Sequence, residues 1–255
     1  MTSANTINCV VSMLEINKIY CIDALELLKQ MPDQSVDLII TDPPYGINIP
    51  IESIGGSKNA DSTKFVKVEK WDDKIPTEEV FKEIFRVSKN QIIFGGNYFT
   101  QYLPSTSSWV IWDKRCNITP QRSYADCELI WTSFKEPARI LRFLWDGFIQ
   151  DEKNKIREKR LHPTQKPVEV IRDLIKKFSK EGDLILDPYS GSGSIALACK
   201  QTGRNFIAGD INIAYVEISQ KRLSQNVLFP LEVKIEGGMP FPPKVKTLGI
   251  SGNEL

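Results

Sequence analysis

Short apolar runs alternate with amphipathic stretches in the first half of the chain. The apolar runs are KIYCI (18–22), VDLIIT (36–41) and QIIFGG (91–96). Between them, DALELLKQM and TEEVFKEIFRVS carry apolar residues at helical spacing. Two more strands are predicted in SSWVIWD (107–113) and CELIWTSF (127–134). Strands that alternate with helices favour a parallel sheet with helices on both faces.

The second half repeats this alternation around a glycine turn. The helical pattern PVEVIRDLIKKFS, with a start signal at Pro163-Thr164, precedes the strand DLILD (183–187), the turn and the helix SIALACKQ. The strand NFIAGD (205–210) and the helix IAYVEISQKRLSQ follow. A strand, a glycine turn, a helix and a strand that ends in an acid together predict a mononucleotide-binding unit. The chain from 227 to 255 is rich in Pro and Gly and is predicted to be a tail.

Composition narrows the class of protein. A chain of 255 residues that is 41% hydrophobic can bury one sizeable core, so we expect a single domain over residues 1–255. The 33 Lys and Arg nearly balance the 32 Asp and Glu, so any affinity for nucleic acid must come from local patches. Five scattered cysteines and one histidine predict a cytoplasmic, metal-free protein, and no apolar run has membrane-spanning length.

The glycine turn carries the first candidate chemistry. It reads DPYSGSGSIA from Asp187 and contains G-x-G-x-x-A, a spacing that also fits NAD-binding proteins. A pyrophosphate over this helix start would meet the Asp187 carboxylate, which is unfavourable. S-adenosylmethionine lacks phosphate and carries an ammonium and a sulfonium, so Asp187 favours it over NAD. Asp210 is placed to bind ribose hydroxyls, which both cofactors have. The alternative is that the glycines only turn the chain.

The strand VDLIIT leads directly into Asp42-Pro43-Pro44-Tyr45. Ligands of doubly wound folds bind beyond the carboxyl ends of the strands, so Asp42 points to the same crevice as the glycine turn. An exocyclic amine of adenine or cytosine is a poor nucleophile, because its lone pair is delocalised into the ring. Asp42 and a backbone carbonyl held rigid by the prolines could accept the two N–H hydrogens of the amine, which would make its lone pair available. Tyr45 could stack on a flipped base. The alternative is a tight turn after a strand.

In combination, these motifs resemble those of a known family, the DNA amino-methyltransferases, which use S-adenosylmethionine to modify adenine N6 or cytosine N4. The matching stretches are TDPPYG (41–46), LHPTQKP (161–167), DPYSGSG (187–193) and the strand that ends in Asp210. Their order resembles the permuted beta group, in which DPPY precedes the glycine motif. The resemblance implies an α/β, Rossmann-like methyltransferase fold. Its sheet would have seven strands, mostly parallel with one antiparallel, and helices on both faces.

The resemblance also implies roles for single residues. The implied catalytic motif is Asp42, Pro43, Pro44 and Tyr45. The implied cofactor site draws on several motifs and comprises Asp23, Thr164, Lys166, Asp187, Tyr189, Ser190, Gly191, Gly193 and Asp210.

Three of these residues lie outside the two central motifs. Asp23 matches the acid beside the cofactor's adenine, although Ile22 stands where the family often has Gly. Thr164 is positioned to cap the helix that follows, and Lys166 to neutralise the cofactor's methionine carboxylate. For His162 we favour a structural hydrogen bond over chemistry.

Basic residues that would contact DNA are concentrated before LHPTQKP. The resemblance implies a target-recognition insert at about 135–162, where basic side chains bind phosphates and their neighbours read base edges. A solvated helix face is the alternative. The loop at about 47–75 is long and polar, and we expect it to be mobile and to close over the flipped base. The candidate phosphate contacts are Lys153, Lys155, Arg157, Lys159 and Arg160.

The predicted function is site-specific methyl transfer from S-adenosylmethionine to N6 of a flipped adenine in double-stranded DNA. In the family that the chain resembles, Asp at the position of Asp42 occurs mostly with adenine enzymes, and Ser with N4-cytosine enzymes. N4-cytosine methylation and an RNA target stay open. So do two other classes, an NAD-dependent oxidoreductase and an inactive nucleic-acid-binding module. Because the recognition region is short, a homodimer or a restriction endonuclease counterpart is also considered.

Overall fold

An eight-stranded sheet and five helices form the part of the computed structural model that is described, residues 14–48, 72–116, 125–146, 149–150 and 165–225. The sheet contains β1 (Lys18–Cys21), β2 (Val36–Thr41), β3 (Ser88–Ile93), β4 (Trp109–Asp113), β5 (Cys127–Thr132), β6 (Arg139–Arg142), β9 (Leu184–Asp187) and β10 (Asn205–Asp210). A separate hairpin pairs β7 (Trp145–Asp146) with β8 (Ile149–Gln150). The helices are α1 (Ala24–Lys29), α2 (Glu78–Val87), α3 (Val168–Phe178), α4 (Ser194–Gln201) and α5 (Ile213–Ser224).

The strands of the large sheet are ordered β1-β10-β9-β2-β3-β5-β4-β6. Its pairs are parallel except those of β5, which runs antiparallel to both β3 and β4. The predicted mostly parallel α/β fold with one antiparallel strand is therefore confirmed. The predicted count of seven strands is wrong, because β6 adds an eighth beside β4. Its sequence, RILR, is too short and too polar at its ends to signal a buried strand.

Helices cover both faces of the sheet, because each helix has an apolar side. Helices α1 and α2 bury residues against one face, and α3, α4 and α5 bury residues against the other. The pattern is clearest in α2, whose buried residues recur at helical spacing. Burying a side chain of this size stabilises the fold by about 1.5–3 kcal/mol. The buried residues of α2 are Val80, Phe81, Ile84 and Val87.

Two predicted boundaries differ from those observed. Strand β3 begins at Ser88, directly after α2, and ends before the glycines of FGGN (94–97). Its first half, SKN, is polar and therefore gave no strand signal. Helix α3 begins at Val168 with Pro167 at its N-cap and no side-chain capping bond, so the predicted start at Pro163-Thr164 is wrong.

Several predictions fall wholly or partly outside the described residues. These are most of the loop at 47–75, the second half of the insert at 135–162, and the tail at 227–255. Among the helices within the described ranges, none combines the length and apolar character that crossing a bilayer requires.

The strand order brings four aspartates to one edge of the sheet. Adjacent parallel strands β1, β10, β9 and β2 present their carboxyl ends at the same edge. Each of these strands ends in, or within two residues of, an aspartate. In strand order they are Asp23, Asp210, Asp187 and Asp42.

Candidate active site

Asp42 lies just beyond the buried strand β2 and is held from two sides. The hydroxyl of Tyr45 donates to its Oδ1 at 2.6 Å. The ammonium of Lys166 donates to its Oδ2 at 2.6 Å. Burial raises the pKa of the Asp42 carboxyl, and the charge of Lys166 opposes that rise. Burial and the nearby Asp42 hold the pKa of Tyr45 well above its ordinary value, so the phenol stays a donor.

Lys166 lies between two carboxylates. Its Nζ is 3.3 Å from Oε2 of Glu128 on β5, whose Oε1 is 3.5 Å from Nζ of Lys114. Burial alone would lower the pKa of Lys166, but Asp42 and Glu128 together hold it above the ordinary value. Its predicted role beside the cofactor's methionine carboxylate stays a prediction. Four alternating charges therefore extend from Asp42 to Lys114.

The ring of Tyr45 is held by aromatic packing. It stacks on Tyr98 with ring centroids 4.7 Å apart and contacts Phe99 edge-on at 6.1 Å. Gly95 has φ 63°, and a Cβ atom at this position would overlap the Tyr45 ring. The first glycine of FGGN thus makes room for Tyr45.

Asp72 fixes the backbone of the same loop. It is 5% exposed, and its Oδ1 accepts hydrogen bonds from the backbone N of Tyr45 at 2.6 Å and of Gly46 at 2.9 Å. Its backbone carbonyl also accepts from the N of Asn48 at 3.0 Å. Asp72 therefore fastens the segment after Pro44 to the chain that enters α2.

Replacing Asp72 by Ala should loosen this loop. Two backbone N–H groups would lose their acceptor, and we expect a loss of about 1–3 kcal/mol in the free energy of unfolding. Denaturant melts measure this loss. The neighbouring Asp73→Ala is the matched control, since Asp73 is exposed. Equal stability of the two variants would contradict the role given to Asp72.

The glycine turn between β9 and α4 is braced by α5. Gly193 has φ 76°, and a Cβ atom there would come within 2.8 Å of Cβ of Ser219. The Ser219 hydroxyl donates to the carbonyl oxygen of Gly191 at 2.8 Å. The buried guanidinium of Arg222 donates to the carbonyl oxygen of Ser192 at 2.5 Å. These contacts fix a narrow, strongly curved turn.

Asp187 is almost fully buried under this turn. Its Oδ1 accepts from the hydroxyl of Thr41 at 3.0 Å and from the backbone N of Tyr189 at 3.2 Å. Burial raises the pKa of Asp187 to about 8, and the negative charges of Asp42 and Asp210 add to that rise. Thr41 directly precedes Asp42, so one hydrogen bond joins the two strand ends.

The other acids at this edge also hold the backbone. Asp210 accepts from the N of Gly191 through Oδ2 and from the N of Asn212 through Oδ1, both at 2.8 Å. Burial raises its pKa, and these hydrogen bonds oppose the rise. Asp23 is the N-cap of α1 and accepts from the backbone N of Leu25 at 2.8 Å. The buried hydroxyl of Ser190 has no hydrogen-bond partner in the described part of the structure.

Most of the predicted site residues meet at this edge. The DPPY motif, Lys166 and the glycine turn are brought together there, with Asp210 at the end of β10 and Asp23 two residues after β1. Thr164 and the five candidate phosphate contacts between Lys153 and Arg160 lie outside the described residues. Within the described ranges, no group of three or more His, Cys, Asp and Glu is arranged to hold a metal.

Sequence reasoning missed the residues that support the motifs. An acid before α2, an acid inside a strand and two polar residues on the inner side of α5 carried no motif. Their roles depend on contacts between distant parts of the chain. They are Asp72, Glu128, Ser219 and Arg222.

Comparison with known proteins identifies similar sequences. The DNA methylase family model for N6 and N4 enzymes matches residues 100–221. Type II methyltransferase M.HpaI of Haemophilus parainfluenzae is 29% identical over 244 residues, which cover 81% of this chain and 74% of that protein. Type II methyltransferase M2.DpnII of Streptococcus pneumoniae is 28% identical over 246 residues, which cover 79% of this chain and 87% of that protein.

Solved structures share the fold. The PvuII DNA methyltransferase, described as cytosine-N4-specific, has a TM-score of 0.56 at 16% identity and covers 82% of this chain and 86% of its own. A Thermus thermophilus protein that is described as a DNA modification methylase has a TM-score of 0.51 at 19% identity, and the match covers 80% of this chain and 93% of that one. A structure of that protein with S-adenosyl-L-methionine has a TM-score of 0.50 at 17% identity, and the match covers 80% of this chain and 92% of that one.

Proposed function

We propose that this chain, which is similar to DNA amino-methyltransferases, transfers a methyl group from S-adenosylmethionine to the exocyclic N6 of a flipped adenine in double-stranded DNA. The observation that carries this proposal is the junction of the two motifs. Through Thr41, the strand end that bears Asp42 is bonded to Asp187 under the glycine turn. A cofactor over the turn would therefore lie beside a base held at Asp42.

The turn and its acids suit S-adenosylmethionine. When bound, the cofactor supplies an electrophilic methyl group on a sulfonium. The buried carboxylate of Asp187 is an acceptor for its ammonium, and Asp210 lies on the neighbouring strand for the ribose hydroxyls. The Ser190 hydroxyl, next to the turn's glycines, lacks a partner among the described residues and is available to a ligand. Nothing in the site or the comparisons favours the NAD-dependent oxidoreductase.

Asp42 would activate the amine of the base. Its carboxylate accepts an N–H hydrogen, and the carbonyl oxygen of Pro43 accepts the second. The nitrogen then has a lone pair available for in-line attack. The N–C bond forms as the C–S bond breaks, and the amine proton leaves to Asp42 or to water. Positioning and electrostatics supply most of the acceleration.

The aromatic pair beside Asp42 would receive the base. Tyr45 and Tyr98 already stack, and Tyr98 is 39% exposed at the surface. A base flipped out of the duplex would add to this stack or displace Tyr98 from Tyr45. The edge-on contact with Phe99 keeps the Tyr45 ring in place for either arrangement.

The choice of adenine rests on the identity of Asp42. One fold neighbour is described as cytosine-N4-specific, so the fold does not separate the two bases. N4-cytosine methylation is the second candidate. Both reactions use the same acceptors for an exocyclic amine, and both leave the site residues in the same roles.

Nucleoside analysis tests the proposal. The protein is incubated with methyl-labelled S-adenosylmethionine and unmethylated duplex DNA. The DNA is then digested to nucleosides, and the labelled nucleoside is identified by mass spectrometry. We expect labelled N6-methyladenine. Labelled N4-methylcytosine would overturn the choice of base and keep the mechanism, whereas label in neither nucleoside would overturn the proposed function.

The affinity for S-adenosylmethionine should rise as the pH increases from 6 to 7.5. With a pKa of about 8, Asp187 is mostly protonated in the free protein at pH 6, yet its ionised form binds the ammonium. Between pH 6 and 7.5, affinity should therefore rise by up to about tenfold per pH unit. Titration calorimetry measures the slope. Asp187→Asn should bind weakly with a flatter slope, and an unchanged slope would contradict this role for Asp187.

DNA contacts and partners are further parts of the proposal. The basic residues between Lys153 and Arg160 are proposed to bind phosphates, which makes affinity for DNA fall steeply with salt. A homodimer would bring a second set of such residues to one duplex. A restriction endonuclease counterpart would cut the same site when it is unmethylated.

A further inference from the structure

We infer that Glu128 is a second binding position for the ammonium of Lys166, which leaves Asp42 when the target amine arrives. Glu128 is thus a positioning residue for the catalytic carboxylate. The inference rests on the proposed function, and it names a residue outside every motif of the sequence.

The distances describe a lysine already shared by two carboxylates. Nζ of Lys166 is 2.6 Å from Oδ2 of Asp42 and 3.3 Å from Oε2 of Glu128. Oε2 of Glu128 is buried and makes no hydrogen bond in the described part of the structure. A buried carboxylate oxygen that lies 3.3 Å from an ammonium and has no other donor among the described residues is an acceptor available to that ammonium. A small shift of the ammonium would satisfy it.

The target amine creates the need for this shift. Both oxygens of Asp42 already accept a donor, Oδ1 from Tyr45 and Oδ2 from Lys166. An ammonium bonded to Oδ2 competes with the amine N–H and draws electron density from the carboxylate. The side chain of Lys166 is only 9% exposed, so water offers it little alternative. A buried cation needs another anion within reach, and Glu128 supplies one.

Lys114 keeps that second position charged. It lies just after β4, and its Nζ is 3.5 Å from Oε1 of Glu128. Burial would raise the pKa of Glu128, but Lys166 and Lys114 outweigh burial and hold it below its ordinary value. Glu128 therefore stays ionised while Lys166 moves between the two carboxylates.

The variants of this network should shift the pH profile in opposite directions. The charged and titratable groups that face Asp42 are Tyr45, Lys166, Glu128 and Asp187. Removing the negative charge of Glu128 gives Asp42 the undivided charge of Lys166 and lowers the pKa of Asp42. Removing Lys166 takes away the cation and raises that pKa. A residue that only supports packing would not produce opposite signs.

The test measures kcat from pH 5.5 to 9 for the wild type, Glu128→Gln and Lys166→Met on the same DNA. For Glu128→Gln we expect the acidic limb to move to lower pH and the plateau kcat to fall about tenfold, since Lys166 stays on Asp42. For Lys166→Met we expect the acidic limb to move to higher pH. Glu128→Asp keeps the charge and should leave the limb at the wild-type position.

A matched control is Glu79→Gln. Glu79 pairs with Lys29 at 2.7 Å, but that pair is on the surface, and its loss should leave the profile unchanged. Calorimetry with S-adenosylmethionine verifies that each variant binds the cofactor. Two outcomes would overturn this inference alone, provided that the wild type is active. In one, the acidic limbs of Glu128→Gln and Lys166→Met move in the same direction; in the other, Glu128→Gln keeps the wild-type kcat. A wild type that transfers no methyl group would overturn the proposed function as well.

Discussion

Replacing Asp42 by Ala should lower kcat by about 10²–10³-fold, the loss expected when a preorganised electrostatic contact to the reacting group is removed. Asp42 is the proposed acceptor for the amine hydrogen, and the nearby Glu128 carboxylate contacts Lys166 instead. The glycine turn has no hydrogen bond to Asp42 among the described residues, so affinity for S-adenosylmethionine should change by less than about threefold.

Single-turnover methyl transfer with saturating DNA measures this loss. Asp173→Ala is the control, because Asp173 is an exposed acid on α3 and its removal should leave the rate unchanged. Lys166 retains Glu128 as a partner in the Asp42 variant, so the fold should survive. An Asp42→Ala protein with more than about a tenth of the wild-type rate would show that the carboxylate is not essential.

Replacing Gly193 by Ala should weaken both the cofactor site and the fold. The residue has φ 76°, which alone costs about 1–2 kcal/mol for a residue with a Cβ atom. The new Cβ would also press on Cβ of Ser219 at 2.8 Å, and relieving that overlap costs about a further 1–3 kcal/mol. Because Ser219 holds Gly191, the turn should shift and cofactor affinity should fall at least about tenfold.

Gly182 offers a matched control for this substitution. It has φ 85°, and a Cβ atom at its position meets nothing within 4 Å. Gly182→Ala therefore carries the cost of backbone strain without the overlap. Urea melts and calorimetry should show a moderate loss of stability in Gly182→Ala with wild-type cofactor affinity. Equal effects in the two variants would mean that the contact with Ser219 does not shape the site.

Local sequence patterns were sufficient to predict the edge of the sheet where the candidate site lies. An apolar run that is followed by an acid appears in DLILD and in VDLIITD, so Asp187 and Asp42 could be assigned to strand ends. Parallel strands then bring those ends together without further information. The fold class follows from the same alternation of strands and helices.

The partners of these acids could not be predicted, because they come from distant parts of the chain. Lys166 is 124 residues from Asp42, and its contact depends on how the start of α3 meets β2 and β5. Glu128 occupies an ordinary polar position of a strand. The exposed strand β6 has no apolar pattern of its own, because it lies at the edge of the sheet and pairs only with β4 among the described strands.

The same reason explains one wrong role, that of Thr164, and the unforeseen partners of Lys166. Thr164 was expected to cap α3, but the helix begins later, at Val168 with Pro167 at the N-cap. For Lys166 the contact with the cofactor stays a prediction, and the sequence did not indicate that its anionic partners in the fold are Asp42 and Glu128. A positive charge in a buried position pairs with whatever carboxylates the tertiary structure brings near, and sequence spacing does not reveal them.

A crystal structure with duplex DNA and a non-reactive analogue of S-adenosylmethionine would test the central claim most directly. The account predicts one nucleotide outside the duplex, with its exocyclic amine within hydrogen-bond distance of Asp42 and of the carbonyl oxygen of Pro43. The analogue's sulfur-side group would face that nitrogen from above the glycine turn. A target base that remains stacked in the duplex, or an analogue bound away from Asp187, would contradict it.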